Sequence, residues 1–303
     1  MKKTLLLFTF FIFALQLLFA QKLDIQSITL LQFKSKEANF YAKFSPKGDY
    51  LLTTSSNYAG LNLYDFTQKT QKTLNTEAGA GYDVQISDDG NSILYKKTDF
   101  INNRRNNSLI SYSRLTGKIS QISAPSREAI TPRFAANKPT FVMGKKMIRT
   151  NVSTTEAQPI ICIEDQKMVI YTASARKVLT PNGVDASYIW PSISPDRKNI
   201  AYTVAGKGTF VCKIDGTNVK SLGKLNAPTW LNNSWLVGMD VKDNGEILTS
   251  SSLVATTSDG KIRQTLTTPA GKMAMYPAAS ADGKRIAFNT EKGEIYVMNI
   301  AIK

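Results

Sequence analysis

The stretch Phe44–Leu52, F-S-P-K-G-D-Y-L-L, recurs along the chain: as I-S-D-D-G-N-S-I-L at Ile86–Leu94, I-S-P-D-R-K-N-I-A at Ile193–Ala201 and A-S-A-D-G-K-R-I-A at Ala279–Ala287. Each copy is an apolar residue, a four-residue turn and an apolar, β-rich run. Self-similarity at this scale is the signature of a repeat architecture. Two weaker copies fill the gaps, at Thr131–Lys138 with Phe134 in the apolar slot and at Ala227–Ser234 with Trp230 in that slot. From Phe44 through Ile86, Phe134, Ile193 and Trp230 to Ala279 the intervals are 42, 48, 59, 37 and 49. Four-stranded propeller blades repeat at roughly 40–50 residues. The spacing therefore predicts six units, the third carrying an insertion at Thr150–Ala157.

Unit 1 sets the strand pattern. Phe40–Ser45 reads as a first strand and Tyr50–Ser55 as a second. Leu61–Phe66 alternates apolar and polar residues as a third, and Gln71–Leu74 is a short polar fourth. Thr116–Gly117, Asp215–Gly216 and Ser258–Gly260 mark third-to-fourth turns, where glycine supplies positive φ. In unit 3, Phe141–Met143, Pro159–Ile163, Met168–Thr172 and Lys177–Leu179 all read as strands. Unit 6 lacks a fourth strand, and Leu23–Leu31 is an orphan strand ahead of unit 1. Pairing of that segment with Ile295–Ile300 would close the ring and remove an open edge. The expected fold is all-β: a six-bladed β-propeller of four-stranded antiparallel blades, closed by the N-terminal strand in the last blade.

The first residues do not belong to that fold. Lys2 and Lys3 precede an apolar run from Leu5 to Phe19, and Ala20 offers a small residue for cleavage. This is a secretory leader pattern, too short for a comfortable membrane span. The expectation is a signal peptide over 1–20 and one propeller domain over 21–303, periplasmic or secreted, a monomer with no membrane span in the mature chain. The formal charge of +15 points to anionic envelope partners, an acidic glycan or an envelope protein. Nucleic acid is not expected. Cys162 and Cys212 lie in apolar, strand-like contexts and read as free buried thiols, although export would permit a bridge.

The chain has no histidine, which removes Ser-His-Asp and Cys-His triads and the commonest metal ligand. No phosphate loop or dinucleotide fingerprint is present. Asp240–Glu246 is acidic but lacks the full calcium-loop pattern. No catalytic residue, metal or cofactor is expected. Asp88, Asp89, Asp196 and Asp282 fall in the repeated turn, where a carboxylate bonds nearby amides.

The first strands line a propeller's channel, and aligning the units gives a column of Tyr41, Asp83, Thr131, Trp190, Ala227 and Tyr276. Two residues on come Lys43, Gln85, Arg133, Ser192, Thr229 and Ala278, which strand alternation places on the same face. Pro132, Pro191, Pro228 and Pro277 share the position between, as suits an innermost edge. Tyr41, Lys43, Asp83, Arg133, Trp190 and Tyr276 are the candidate ligand residues: aromatic faces to stack, and cations to take an anion. A water-filled channel with blade-to-blade hydrogen bonds is the alternative for the same residues.

The residues Ser194-Pro195-Asp196, Ser280-Ala281-Asp282-Gly283-Lys284-Arg285-Ile286-Ala287-Phe288 and Ile295-Tyr296-Val297-Met298-Asn299 resemble the repeats of the TolB-like six-bladed β-propeller family. The resemblance covers the mature chain, strongly in units 1, 2, 4 and 6. It implies a propeller that binds envelope partners, here without the α/β domain that precedes the propeller in TolB. A lyase or glycosidase acting on an acidic saccharide at the channel mouth is the alternative.

Overall fold

A computed structural model describes residues 22–33, 37–153, 155 and 157–303, so the expected leader lies outside the described residues. The described residues form a β-propeller of seven antiparallel sheets, five of four strands and two of three. The expected six blades are therefore one too few. Inner strands are Phe40–Phe44 in blade 1, Gln85–Ile86 in blade 2, Ile130–Ala135 in blade 3 and Ile160–Glu164 in blade 4. They continue with Tyr188–Ile193 in blade 5, Asn226–Trp230 in blade 6 and Met275–Ala279 in blade 7.

The miscount falls in the longest interval. What reads as one unit with an insertion is two short blades: Ile130–Ala135, Lys138–Met143 and Lys146–Arg149, then Ile160–Glu164, Lys167–Tyr171 and Arg176–Leu179. The segments predicted as strands are strands, but they belong to two sheets. Blade 4 carries no copy of the repeated turn, because its inner strand runs opposite to those of its neighbours. The far end of Ile160–Glu164 lies beside the beginnings of both flanking inner strands. There the Gln166 carbonyl accepts from the Tyr188 amide at 2.9 Å, and Asp165 pairs with Lys145 at 3.7 Å. Lys145 follows Met143, which is paired with Ile130 at the start of the blade 3 inner strand. In sense, blade 4 has second, third and fourth strands and no first.

The repeated turn has a common internal lock. The hydroxyls of Ser45, Ser87, Ser194 and Ser280 donate to Asp49, Asp89, Asp196 and Asp282 at 2.5–2.6 Å. Each serine oxygen also accepts the backbone N–H five residues on, at Tyr50, Ser92, Asn199 and Arg285. All four serines are buried. The serine hydrogen bond, the largest influence, holds the Asp89 and Asp196 carboxyls below the usual range. Neighbouring turns are also linked, Asn137 accepting from the Asp89 amide at 3.1 Å and Asn233 from the Asp196 amide at 2.9 Å. Turn and blade contact are thus specified together.

The core lies between blades. Tyr50, Leu52 and Leu61 of blade 1 pack on Ile86, Ile93 and Tyr95 of blade 2. The ring closes as the orphan strand predicted: Leu23–Leu30 pairs antiparallel with Ile295–Ile302 as the outer strand of blade 7. Leu23 is buried with Trp235, Leu253, Phe288 and Ile300, and its backbone exchanges hydrogen bonds with Gln264 of blade 6 at 3.0 and 2.7 Å. Cys162 and Cys212 are free and buried, and burial pushes their thiols up to about 11 and about 12. Among the described residues, no helix is long and apolar enough to cross a membrane.

Candidate ligand site at the channel mouth

Five members of the channel column share one backbone conformation. Tyr41, Asp83, Trp190, Ala227 and Tyr276 have φ of 46–56°. This left-handed region costs a non-glycine residue about 1–3 kcal/mol, and such strain concentrates at functional sites. In blades 1, 5, 6 and 7 the pairing register shifts at these positions. These strands are bulged, so simple alternation does not govern where their first residues point. Thr131 differs: it pairs regularly with Val142. The inner strand of blade 4 supplies Ile161, Cys162 and Ile163 to the mouth instead.

Three blades meet at Asp83. Arg133 Nη1 donates to both carboxylate oxygens at 3.1 Å, and Gln85 Nε2 donates to Oδ1 at 2.7 Å. Gln85 Oε1 in turn accepts from Lys43 Nζ at 3.1 Å. Lys43, Asp83 and Arg133 are therefore one network, of the blade-to-blade kind expected as the alternative. Burial is the main influence on the Lys43 amine, outweighing the attraction of Asp83 and lowering it to about 8.

Tyr41 and Tyr276 belong to an aromatic group. The Tyr41 ring stacks on Tyr58 at 4.3 Å and meets Tyr276 edge-on at 4.8 Å, while Tyr58 meets Tyr82 edge-on at 5.3 Å. Tyr58 comes from the turn joining the second and third strands of blade 1, which rises at the same end of the molecule. Desolvation first, then the neighbouring tyrosines, hold the Tyr58 and Tyr276 hydroxyls above their usual range. These rings remain neutral hydrogen-bonding partners at physiological pH.

Two cavities open here. One of about 830 Å³ is lined by Asp83, Lys96, Arg104, Arg105, Arg127 and Arg133, with Tyr82, Trp190 and Ile161–Ile163. The other, of about 420 Å³, is lined by Tyr41, Lys43, Tyr58, Asp83, Trp190 and Tyr276. All six candidate residues thus border one cavity or the other, and Asp83 and Trp190 border both. Among the described residues that line the larger cavity, Asp83 is the only acid, and it is already engaged by Arg133. Among the described residues, none of Lys96, Arg104, Arg105 and Arg127 is ion-paired. Lys96 is buried, sits 4.1 Å from the centre of the Tyr82 ring and reaches the Ile130 carbonyl at 3.4 Å. Burial is the first cause that lowers its amine, to about 8.

These four cations and the Tyr58 and Tyr82 rings are absent from the candidates read off the sequence. The available signal was strand length. Ser92–Ile101 and Arg104–Ser113 run ten residues each, twice the length of their counterparts in blade 1, and carry Arg104 and Arg105 up over the mouth. The acidic stretch at Asp240–Glu246 has a local role: Asp240 pairs with Arg263 at 3.6 Å, and Asp243 and Asn244 bond amides of their own turn.

Comparison with solved structures identifies the fold class. TolB from Acinetobacter baumannii superposes with a TM-score of 0.54 at 17% identity, over 80% of this chain and 57% of that one. The Cps50 (Swd1) β-propeller domain from Myceliophteria thermophila gives 0.58 at 10% identity, over 92% of this chain and 100% of that one. An oligogalacturonate lyase from Vibrio parahaemolyticus gives 0.50 at 13% identity, over 88% and 78%. At these identities the likeness is one of fold. The chain spans little more than half of the TolB chain. No family model and no curated protein matches. Fold and mouth together define a seven-bladed β-propeller with a basic, aromatic-lined channel entrance.

Proposed function

We propose that this protein is an exported binding module of the cell envelope and that its ligand is an anionic glycan held at the channel mouth. The observation that carries the reading is the charge of the larger cavity: among the described residues, four cations without an ion-pair partner, beside a single acid already neutralised by Arg133. Arginines offer carboxylates paired donors in a fixed plane, and a partly enclosed wall screens them less than open water does. The leader pattern of residues 1–20 supports export. The fold it shares with TolB supports a role in binding.

A second reading is favoured by one feature. The Lys43 and Lys96 amines, lowered to about 8, supply a fraction of free base near neutral pH. With Arg133 to neutralise a carboxylate and Tyr41 and Tyr276 to relay a proton, the mouth would suit a lyase acting on an acidic saccharide. The fold shared with an oligogalacturonate lyase supports that choice of substrate.

A thermal-shift screen of residues 21–303 against acidic oligosaccharides, neutral oligosaccharides and acidic peptides tests the first reading. A ligand that binds the folded state alone raises the melting temperature. Acidic sugars are expected to raise it, and the shift should vanish in Arg105→Ala/Arg127→Ala. No shift, or a shift that survives both substitutions, would refute the anion site. Formation of an unsaturated uronate, followed by its ultraviolet absorbance and lost in Lys43→Met, would move the assignment to the lyase.

A further inference from the structure

The two cavities differ in chemistry but share a wall made of two side chains. The larger holds the unpaired cations. Among the described residues the smaller has one cation, Lys43, already bonded to Gln85, and apart from Asp83 it is lined by aromatic rings and by small uncharged residues such as Ala227, Thr229 and Pro277. Asp83 and Trp190 border both.

We infer that the two cavities form one cleft for a linear acidic oligosaccharide of at least two units. The carboxylate of one sugar lies among Lys96, Arg105 and Arg127, and the ring of the next lies against Tyr41 and Tyr276. This rests on the mouth being an anion site, and it adds the length and polarity of the occupant.

Three observations converge on it. The basic compartment alone would serve a small anion, yet Trp190 and Tyr82 stand 42% and 55% exposed at its border. Trp190 is held there by a left-handed backbone that an L-residue adopts only at a cost. Aromatic faces are electron-rich and attract the C–H face of a sugar ring. Second, the reversed inner strand of blade 4 leaves Ile161 and Ile163 as wall where another blade presents a bulged inner residue, and the larger cavity opens on that side. Third, the larger compartment is rich in donors and poor in free acceptors, since Asp83 is engaged by Arg133 and Gln85. Sugar carboxylates accept, and hydroxyls both donate and accept, whereas a peptide, though its carbonyls accept, also brings a backbone N–H at each residue that would need an acceptor this compartment does not offer. The balance favours a glycan over an acidic peptide.

Calorimetric titration of residues 21–303 with galacturonate, trigalacturonate, an alginate trimer and neutral maltotriose tests this. At least one acidic trimer is expected to bind ten or more times tighter than the monomer, and maltotriose not to bind. Tyr41→Gly and Tyr276→Gly relieve the backbone while removing the ring, so both variants should fold, as their melting temperatures would confirm. They should weaken the trimer at least fivefold and leave the monomer unchanged. Arg105→Ala/Arg127→Ala should weaken both. A trimer no tighter than the monomer, or tyrosine variants that weaken both equally, would overturn the single cleft while leaving the anion site standing. No binding by any acidic sugar, or tighter binding of an acidic peptide, would overturn the anionic-glycan reading and the cleft with it.

Discussion

Ala227 isolates the cost of the bulged inner strand, because it holds φ at 46° with a side chain too small to gain much from its neighbours. Glycine adopts this conformation freely, at the expense of extra entropy in the unfolded chain. Ala227→Gly is expected to stabilise the protein by up to about 1 kcal/mol, read as a rise in melting temperature. A fall would show that the bulge is not strained. The column itself was legible: Tyr41, Asp83, Trp190 and Tyr276 were placed at the mouth by alignment of the repeated turns. Their left-handed backbone was not legible. Alternation assumes regular pairing, and a bulge adds a residue to one strand without leaving a signature in side-chain type. Lys96 was missed because it follows the apolar run Ile93–Tyr95 and reads as the polar end of a strand. Only the packing of Ile130 and Tyr82 around it reveals a buried amine.

At the scale of elements, the turn carried the most information. Each of the four strong copies contains a serine that bonds both an aspartate and the next strand, so losing that serine would loosen the hairpin. Blade 4 hid for the converse reason. It has no first strand in the usual sense and hence no turn after it, and its strands were absorbed into the 59-residue gap between Phe134 and Ile193. The closing strand was legible from its place ahead of unit 1 and from the missing fourth strand in the last unit. Leu23 is 1% exposed within the cluster joining blades 6 and 7. Leu23→Ala should destabilise the protein by about 2–5 kcal/mol, measured by denaturant unfolding. A change below about 0.5 kcal/mol, the usual range for surface substitutions, would show that the ring does not depend on this strand for closure.

Across the whole molecule, the ring gathers charge at one opening. A chain of net charge +15 places Lys96, Arg104, Arg105 and Arg127 around a single mouth, where among the described residues none of them is ion-paired. Burial lowers the Lys43 and Lys96 amines to about 8, so in the free protein their charge is held against a desolvation cost. Below about 8 both folded and unfolded chains carry these protons. Between about 8 and the unfolded value of about 10.4, the unfolded chain binds more, and stability contributed by these groups rises with pH. Anion binding has the opposite dependence. A carboxylate supplies the missing counter-charge and favours the protonated amine, so affinity should be greatest below about 8 and fall above it.

The most direct measurement of the anion site is therefore a calorimetric titration with the tightest-binding acidic trimer at about pH 7 and about pH 9, on the native chain and on Lys96→Met. Methionine replaces a buried amine with an apolar group of similar length, so the fold should be retained. The native chain is expected to bind about tenfold more weakly at the higher pH, as a site with one amine of pKa about 8 loses most of its charge. Lys96→Met should bind more weakly than the native chain at about pH 7 and show a flatter dependence on pH. Equal affinities at the two pH values, with Lys96→Met indistinguishable from the native chain, would contradict a ligand held by the buried cations of the mouth.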